Sequence, residues 1–224
     1  VAATRHSGSI IKIQTKTSPN PCVLLIDNLD SFTLNIAHSV AGLGHDVAIL
    51  KAREQLQEWD EESIQDLIKT YNASHIILGP GPGTPEDSPL TMGMAKMAVA
   101  GKIAPPVLGI CLGHQAIGMA DGMQLIQDMN GPVHGTPRSC IHQQIGVFES
   151  LETPSLFTRY NSLCLSPNQT GELIETAHET ESKAVMGLQH PTLNVYSVQF
   201  HPESIGSKNG LQLLENFLNV QADA

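Results

Sequence analysis

The chain comprises 224 residues with a formal net charge of -10 at pH 7 and a sequence pI near 5.3. This acidic balance argues against a nucleic-acid partner or an anionic membrane surface, and an aromatic content of only 4% argues against a base-stacking platform. Because the sequence contains no run of 18 apolar residues and no secretory signal is recognised, we expect a protein of the cytoplasm or of an organelle matrix.

The first predicted elements in chain order are a polar arm, a strand and a helix. Residues 1–20 are rich in Ser, Thr and Lys and predict an arm or linker ahead of one domain over residues 21–224. Cys22–Asp27 is a continuous apolar run that ends in an acid and predicts a buried strand. Ser31 is a candidate N-cap for a helix whose apolar residues are Phe32, Leu34, Ile36, Val40 and Leu43.

Strands and helices then alternate along the chain. Apolar runs predict strands over residues 46–50, 75–78 and 104–110, and helical patterns cover residues 62–69 and 114–120. Alternation of this kind implies right-handed βαβ units. The predicted fold class is therefore α/β, with an open, mostly parallel central sheet and helices on both faces.

Beyond Gly122 the pattern changes to short alternating strands, which predict an antiparallel extension at the edge of the sheet. These strands cover residues 144–148, 162–165, 184–189 and 195–200, and a final helix over residues 211–220 packs back. The sequence shows no internal repeat and no second domain. One domain of this length buries a substantial core without disulfides or metals.

A cysteine lies between two glycines in Gly109-Ile110-Cys111-Leu112-Gly113-His114-Gln115, where a predicted strand meets a predicted helix. We expect a sharp turn that holds Cys111 in a strained backbone conformation, with its side chain exposed at a helix N-terminus. The unpaired N–H groups at that terminus favour a thiolate, which is the nucleophilic form of cysteine. The alternative is a buried cysteine in a small-residue turn, because free cysteine packs as a small hydrophobe.

Three further cysteines, Cys22, Cys140 and Cys164, form no C-x-x-C pair. Their spacing disfavours a zinc knuckle or a thioredoxin-like site and favours reduced thiols. Cys22 begins the first apolar strand and is expected to be buried, whereas Cys140 and Cys164 belong to later strands without an elbow. Cys111 is therefore the candidate nucleophile.

Two other segments follow predicted strands, at the edge where open α/β sheets bind ligands. Residues 79–85 read Gly-Pro-Gly-Pro-Gly-Thr-Pro, a stiff loop whose glycine N–H groups suit an oxyanion or a substrate backbone; the alternative is a rigid turn. Residues 199–204 contain His201, a candidate general base, and Glu203, a candidate to orient the imidazole. The convergence of nucleophile, base and donor loop at strand ends predicts an active site.

Together these three segments resemble the signature of the class I glutamine amidotransferases, which consists of a G-x-C-x-G-x-Q elbow, a P-G-P-G loop and a late F-H-P-E. The resemblance runs in the same order from about residue 22 to residue 220. Within the class, residues 26–35, Val133-His134-Gly135 and Arg159-Tyr160-Asn161-Ser162-Leu163 are similar to the small subunits of anthranilate synthase and aminodeoxychorismate synthase.

Carried over by motif, the resemblance implies Cys111 as the nucleophile, with His201 and Glu203 completing the catalytic set. It also implies an oxyanion hole formed by the backbone N–H groups of Gly83 and Leu112. The residues implied to bind glutamine are Gly81, Pro82, Gly83, Gln115, Ser162 and Leu163.

The function that the resemblance implies is hydrolysis of glutamine to glutamate and ammonia through a cysteinyl thioester. The ammonia is then delivered to a chorismate-using synthase, which is either a separate subunit or a fused domain, in the manner of anthranilate synthase component II. The glutaminase component of aminodeoxychorismate synthase, or one shared by both synthases, is the alternative. The resemblance implies no metal or organic cofactor in this chain and leaves any magnesium requirement with the synthase.

Two departures from the branch pattern leave the identity of the synthase open. Asn161 stands where the branch usually has histidine, and Thr136-Pro137-Arg138 replaces a lysine-containing segment after Gly135. Two further readings compete: a stand-alone hydrolase, and a catalytically silent subunit that binds glutamine or a partner. The intact Cys111, His201 and Glu203 weigh against the silent subunit.

Overall fold

A computed structural model describes residues 10–13, 22–53, 59–167 and 171–221. The strands in these ranges are β1 (Ile10–Ile13), β2 (Cys22–Asp27), β3 (Val47–Lys51), β4 (Ala73–Leu78), β5 (Val107–Ile110), β6 (Leu125–Gln127), β7 (Thr136–His142), β8 (Ser155–Arg159), β9 (Leu163–Leu165), β10 (Ile174–Glu179), β11 (Val185–Gln189) and β12 (Val195–Val198). The α-helices are α1 (Thr33–Gly42), α2 (Glu61–Thr70), α3 (Pro89–Val99), α4 (Leu112–Ala120) and α5 (Gly210–Leu218).

The main sheet has the strand order β1-β3-β2-β4-β5-β12-β11-β10-β7-β8. Strands β2, β3, β4 and β5 pair in parallel, because helices α1, α2 and α3 connect them in turn and return the chain to the same end of the sheet. Strand β12, much later in the chain, pairs in parallel with β5. Strands β11, β10, β7 and β8 extend the sheet with antiparallel pairing. The predicted α/β class and its antiparallel extension are confirmed.

The core has two layers, one on each face of the sheet. Alternate residues of β2 point to opposite faces: Val23 and Leu25 join one cluster, and Leu24 and Ile26 join the other. Helices α1 and α5 cover the first face, whereas α2, α3 and α4 cover the second. Within the described ranges, no helix is both long and apolar enough to cross a membrane.

The start of α1 differs from the prediction that Ser31 caps it. The helix begins at Thr33, its N-cap residue is Phe32, and no side chain forms the capping hydrogen bond. Two acids organise the preceding turn instead: the Oδ1 atom of Asp27 accepts from the hydroxyl of Thr33 at 2.7 Å, and the Oδ1 atom of Asp30 accepts from the N–H of Phe32 at 2.8 Å. The prediction for Ser31 is therefore wrong, because these bonds place the N-cap one residue later, at Phe32.

The strand predicted over residues 144–148 is also wrong. Gln144 and Gly146 have φ values of 56° and 55°, a left-handed conformation that no strand accommodates. A short 3₁₀ helix, Gly146–Phe148, follows. Val147 and Phe148 are both buried, so the apolar pattern correctly indicated burial but not the backbone conformation.

Some elements lie where the sequence pattern predicted none. Helix α3 is the longest of these, and strands β6, β7, β8 and β10 are others. Within the predicted arm, Ile10–Ile13 pairs with β3 as an antiparallel edge strand, and the rest of the arm lies outside the described residues. The boundary at residue 20 stays a prediction.

Helix α4 lies unusually close to the sheet at two glycines. A Cβ atom on Gly113 would lie 2.0 Å from the carbonyl oxygen of Leu78, and one on Gly109 would lie 2.5 Å from the carbonyl oxygen of Gly113. Both neighbouring atoms are backbone atoms, which cannot move without shifting α4 or the sheet. The absence of side chains at these positions therefore sets the distance between α4 and the strands.

We expect Gly113→Ala to lower the free energy of unfolding by about 1–3 kcal/mol, because the added methyl forces α4 away from β4. Urea unfolding followed by circular dichroism measures this change. Gly42→Ala is the matched control: a Cβ atom there meets no atom within 4 Å, and alanine in a helix should raise the free energy of unfolding by about 0.5 kcal/mol. Equal effects of the two substitutions would contradict the close-packing argument.

Candidate active site

Cys111 occupies the single residue between β5 and α4. Its backbone has φ 53° and ψ -100°, which is strained for a residue with a side chain, and its N–H donates to the carbonyl oxygen of Val198 at 2.9 Å. The sharp turn expected from the sequence is present. The residue is only 7% exposed, so the expected exposure of its side chain is wrong: the walls of a cavity cover it.

His201 and Glu203 follow β12, the strand that pairs with β5. The Nδ1 atom of His201 lies 2.6 Å from the Oε1 atom of Glu203, and both side chains are almost completely buried. The backbone of His201 is held by its N–H bond to the carbonyl oxygen of Thr158 at 2.9 Å. Cys111 and Glu203 both influence the protonation of His201, so the three residues form one connected set.

The environment of His201 favours the imidazolium form. Burial acts to lower the pKa of His201, but the neighbouring Cys111 and the hydrogen-bonded carboxylate of Glu203 act in the opposite direction and prevail. The pKa of His201 is therefore raised well above 6.5. An imidazolium beside a cysteine can stabilise a thiolate and later donate a proton to a leaving group.

Two aromatic rings pack on His201. The ring centroids of Tyr160 and Phe32 lie 4.9 Å and 5.6 Å from that of the imidazole, both in edge-on orientation, and the two aromatic rings lie 4.7 Å from each other. This packing restricts the imidazole to one orientation. It also joins the loop after β2 to the segment after β8.

A cavity of about 200 Å³ opens beside Cys111. The residues that line it are Gly81, Pro82, Gly83, Cys111, Gln115, Tyr160, Asn161, Ser162 and Leu163. All six residues implied to bind glutamine are among them. Its volume is below that of typical drug-binding pockets, about 300–1,000 Å³, and suits a ligand the size of an amino acid.

The two N–H groups implied to form the oxyanion hole belong to a residue of the cavity wall, Gly83, and to the residue directly after Cys111, Leu112. Gly83 lines the cavity in a left-handed conformation, with φ 76°. Leu112 is buried and does not line the cavity, but it is the first residue of α4, where N–H groups have no partner within the helix. The role of these two N–H groups stays a prediction.

Side chains from neighbouring elements hold the loop over residues 79–85. The amide nitrogen of Asn28 donates to the carbonyl oxygen of Gly79 at 3.0 Å, and the guanidinium of Arg53 donates to the carbonyl oxygen of Pro82. The N–H of Thr84 donates to the carboxylate of Asp87 at 2.9 Å. These contacts give the loop a fixed position relative to Cys111.

The opposite wall of the cavity rests on a buried group of charges around Arg159. This guanidinium is fully buried and pairs with the carboxylates of Asp128, at 2.5 Å, and Glu179. Its Nε atom donates to the Oδ1 atom of Asn161 at 3.1 Å, and the amide nitrogen of Asn161 donates to the carbonyl oxygen of Leu163 at 2.8 Å.

The departure from the branch pattern at Asn161 thus lies in the wall of the cavity itself. Thr136-Pro137-Arg138, the other departure, lies in β7, outside the residues that line the cavity.

Four residues of this site were not predicted as site residues from the sequence. Tyr160 and Asn161 line the cavity, and their position directly before Ser162 was the available signal. Gln199, which contacts Gln115, belongs to the segment over residues 199–204, and its position two residues before His201 was the available signal. Phe32 contacts His201 from a distant part of the chain, and local sequence gives no signal for that contact. Among the described residues, no group of three or more His, Cys, Asp or Glu is arranged to hold a metal ion.

Comparison with known families gives the site its context. The family model described as glutamine amidotransferase class-I matches residues 24–220, which is most of the chain. The chain belongs to the class-I glutamine amidotransferases. The resemblance drawn from the three sequence segments is confirmed, and so is the enzyme class.

Three relatives place this amidotransferase more closely. It is 39% identical over 198 residues to anthranilate synthase component 2 of Cyanophora paradoxa, covering 88% of this chain and 98% of the relative. It is 38% identical over 201 residues to aminodeoxychorismate synthase component 2 of Serratia marcescens, covering 88% and 99%. It is 36% identical over 199 residues to the bifunctional protein TrpGD of Thermotoga maritima, of which the match spans only 32%, against 89% of this chain.

A solved structure supports the fold of the amidotransferase. The crystal structure of a glutamine amidotransferase from Thermotoga maritima has a TM-score of 0.66, with 89% of this chain and 97% of that chain covered. Its sequence identity is 14%, so the likeness concerns the fold alone.

We expect Glu203→Gln to lower the pKa of His201, because the substitution removes a negative charge at hydrogen-bond distance. Because folding raises the pKa of His201, the protonated imidazole stabilises the folded state. This stabilisation is complete below about pH 6.5 and is lost as the pH rises through the folded-state pKa. In Glu203→Gln, the free energy of unfolding should therefore fall less over this pH range than in wild type. An NMR titration of the imidazole and urea unfolding across pH measure both quantities.

Glu175→Gln is the matched control, because Glu175 contacts the partly exposed His178 at 2.6 Å in another part of the sheet. This variant should leave the titration of His201 unchanged. A His201 titration that is the same in Glu203→Gln and wild type would show that Glu203 does not set the protonation state of the imidazole.

Proposed function

We propose that this amidotransferase hydrolyses glutamine to glutamate and ammonia through a thioester on Cys111 and delivers the ammonia to a chorismate-using synthase, in the manner of anthranilate synthase component II. The observation that carries the proposal is an amino-acid-sized cavity lined by Cys111, next to His201, which is hydrogen-bonded to Glu203. A nucleophile, an acid–base group and an orienting carboxylate suffice for acyl transfer.

In the first half-reaction, the thiolate of Cys111 attacks the side-chain amide carbon of bound glutamine. The N–H groups of Gly83 and Leu112 stabilise the resulting oxyanion; removing one such donor costs about 100-fold to 1,000-fold in rate. His201, held protonated by its surroundings, gives its proton to the departing nitrogen. The carbon–nitrogen bond breaks, ammonia leaves, and a γ-glutamyl thioester remains on Cys111.

In the second half-reaction, the now neutral His201 takes a proton from water as that water attacks the thioester. The carbon–sulfur bond breaks, glutamate is released, and the thiolate and imidazolium are restored. Glu203 orients the imidazole in both steps. Side chains and backbone N–H groups of this chain fill every role, so we propose that glutamine hydrolysis uses no cofactor and that any magnesium requirement belongs to the synthase.

Delivery to a partner follows from the chemistry of ammonia. Free ammonia at neutral pH is mostly protonated and is then no nucleophile, so its release next to a docked acceptor site is the useful outcome.

The identities of 39% and 38% to relatives named for anthranilate synthase and aminodeoxychorismate synthase are too similar to choose between them. The glutaminase component of aminodeoxychorismate synthase, or one serving both synthases, is therefore the second candidate. TrpGD, in which the matched region is part of a longer chain, supports a fused domain as an alternative arrangement.

Labelling with a diazo-ketone analogue of glutamine should modify Cys111 and no other thiol. Burial raises the pKa of Cys140 to about 12 and that of Cys164 to about 11, and burial also raises the pKa of Cys22, so these thiols stay protonated at neutral pH. Peptide mapping by mass spectrometry locates the label. Glutamine should protect Cys111, and a label centred on another cysteine would sink its assignment as nucleophile.

Cys111→Ala should abolish glutamine-dependent synthesis by the complex with a chorismate-using synthase but leave synthesis from ammonium salts at raised pH. The substitution removes only the sulfur atom, so the chain should still fold. Because Cys111 is only 7% exposed, the outer surface changes little and the chain should still bind the synthase. The measurement is product formation with each nitrogen source.

The control for this experiment is Cys22→Ala, which removes a half-buried thiol at the start of β2 and should leave both nitrogen sources usable. A Cys111→Ala complex that is inactive with ammonia as well would mean that the cysteine serves something other than ammonia supply. If the wild-type chain hydrolyses glutamine but binds no such synthase, it is a stand-alone hydrolase. If it binds the synthase but does not hydrolyse glutamine, it is a catalytically silent subunit.

A further inference from the structure

The amide of Gln115 is held by two acceptors at the base of the cavity. Its nitrogen donates to the carbonyl oxygen of Leu163 at 3.1 Å and to the Oε1 atom of Gln199 at 3.3 Å. Gln199 belongs to the segment between β12 and His201 and is fully buried. Two separate segments thus hold the amide of Gln115: the cavity wall over residues 161–163, through Leu163, and the segment after β12, through Gln199.

The hydrogen-bond partners determine the orientation of the side-chain amides of Gln115 and Asn161. The carbonyl oxygen of Leu163 can only accept, so the nitrogen end of Gln115 must face it. The amide of Asn161 obeys the same rule: its nitrogen donates to Leu163 and its oxygen accepts from the guanidinium of Arg159, which can only donate. With both hydrogens of its nitrogen engaged, Gln115 has its carbonyl oxygen left for a ligand.

The other end of Gln199 carries an unsatisfied donor. Its amide nitrogen is buried and, within the described part of the chain, has no hydrogen-bond partner. An unsatisfied buried donor is unfavourable, and a residue chosen for stability alone would not keep it. What the residue does supply is the acceptor that meets Gln115.

We propose that Gln199 is a positioning residue for substrate recognition, which locks the amide of Gln115 so that its carbonyl oxygen faces the cavity and accepts from the α-ammonium group of the substrate. Among the described residues that line the cavity none is acidic, so a neutral oxygen must serve as the acceptor for this cation. The inference rests on the proposed function and specifies how that function selects an α-amino acid.

The test compares glutamine with 4-carbamoylbutanoate, which has the same amide and carboxylate but no α-ammonium group. Hydrolysis is measured in the presence of a chorismate-using synthase, and the ratio of kcat/KM values gives the discrimination. Gln199→Met keeps the side-chain length but removes the acceptor. It should lower kcat/KM for glutamine about tenfold, mainly through KM, and leave the value for 4-carbamoylbutanoate nearly unchanged.

Two variants bracket this change. Gln199→Glu keeps an oxygen toward Gln115 and should retain the wild-type discrimination. Gln143→Met makes the same chemical change at a glutamine whose amide bonds to the carbonyl oxygen of Glu175, away from the cavity, and should leave both substrates unaffected. Because Gln199→Met also removes the unsatisfied donor, its unfolding midpoint in urea should be equal to or higher than that of wild type.

Loss of activity on both substrates by the same factor in Gln199→Met would assign Gln199 a purely structural role and overturn the proposal. A measurement on wild-type protein tests it independently of any variant: both side-chain amide protons of Gln115 should exchange slowly with solvent by NMR, and rapid exchange of either would overturn it. Wild-type protein that hydrolyses glutamine and 4-carbamoylbutanoate equally well would also overturn it, with the proposed function intact. Hydrolysis of neither compound would remove the proposed function itself.

Discussion

The close approach of α4 to the sheet is the constraint on which the rest of the site depends. A helix can lie this near the strands only where side chains are absent, as at Gly109 and Gly113, whose Cβ atoms would meet backbone atoms at 2.5 Å and 2.0 Å. The chain must then pass from β5 to α4 through a single residue. Cys111 takes up that turn at φ 53°, which brings its thiol to the N-terminus of α4. The backbone strain and the position of the thiol therefore have one cause.

The pairing of β12 with β5 brings the second half of the site to the first. The N–H of Cys111 donates to the carbonyl oxygen of Val198, and His201 follows three residues later. The wall that completes the cavity rests on the buried guanidinium of Arg159 and its two carboxylates. Burying such charges is expensive, and removing one partner is strongly destabilising, so the set fixes the wall without adding much net stability.

The sequence predicted those features that a local pattern determines. Continuous apolar runs gave the parallel strands, and glycines on both sides of Cys111 gave the turn. Predictions failed where several local conformations suit the same residues. Val147 and Phe148 are buried as their pattern indicates, but the left-handed backbone at Gln144 sends them into a 3₁₀ helix and not a strand. Ser31 is a good N-cap residue, but the acids around it set the start of α1.

By itself, the sequence determined the fold class, the family and the candidate nucleophile, because these depend on residue type and spacing within short segments. Only the tertiary structure decided which further residues surround the predicted site residues. Tyr160 and Phe32 pack on His201, and Gln199 binds Gln115, across separations of 41 to 169 residues that no local pattern encodes. The structure also decided that Cys111 is covered, since exposure depends on the walls around a residue. Contacts between distant segments follow from strand order and packing, which the chain acquires only on folding.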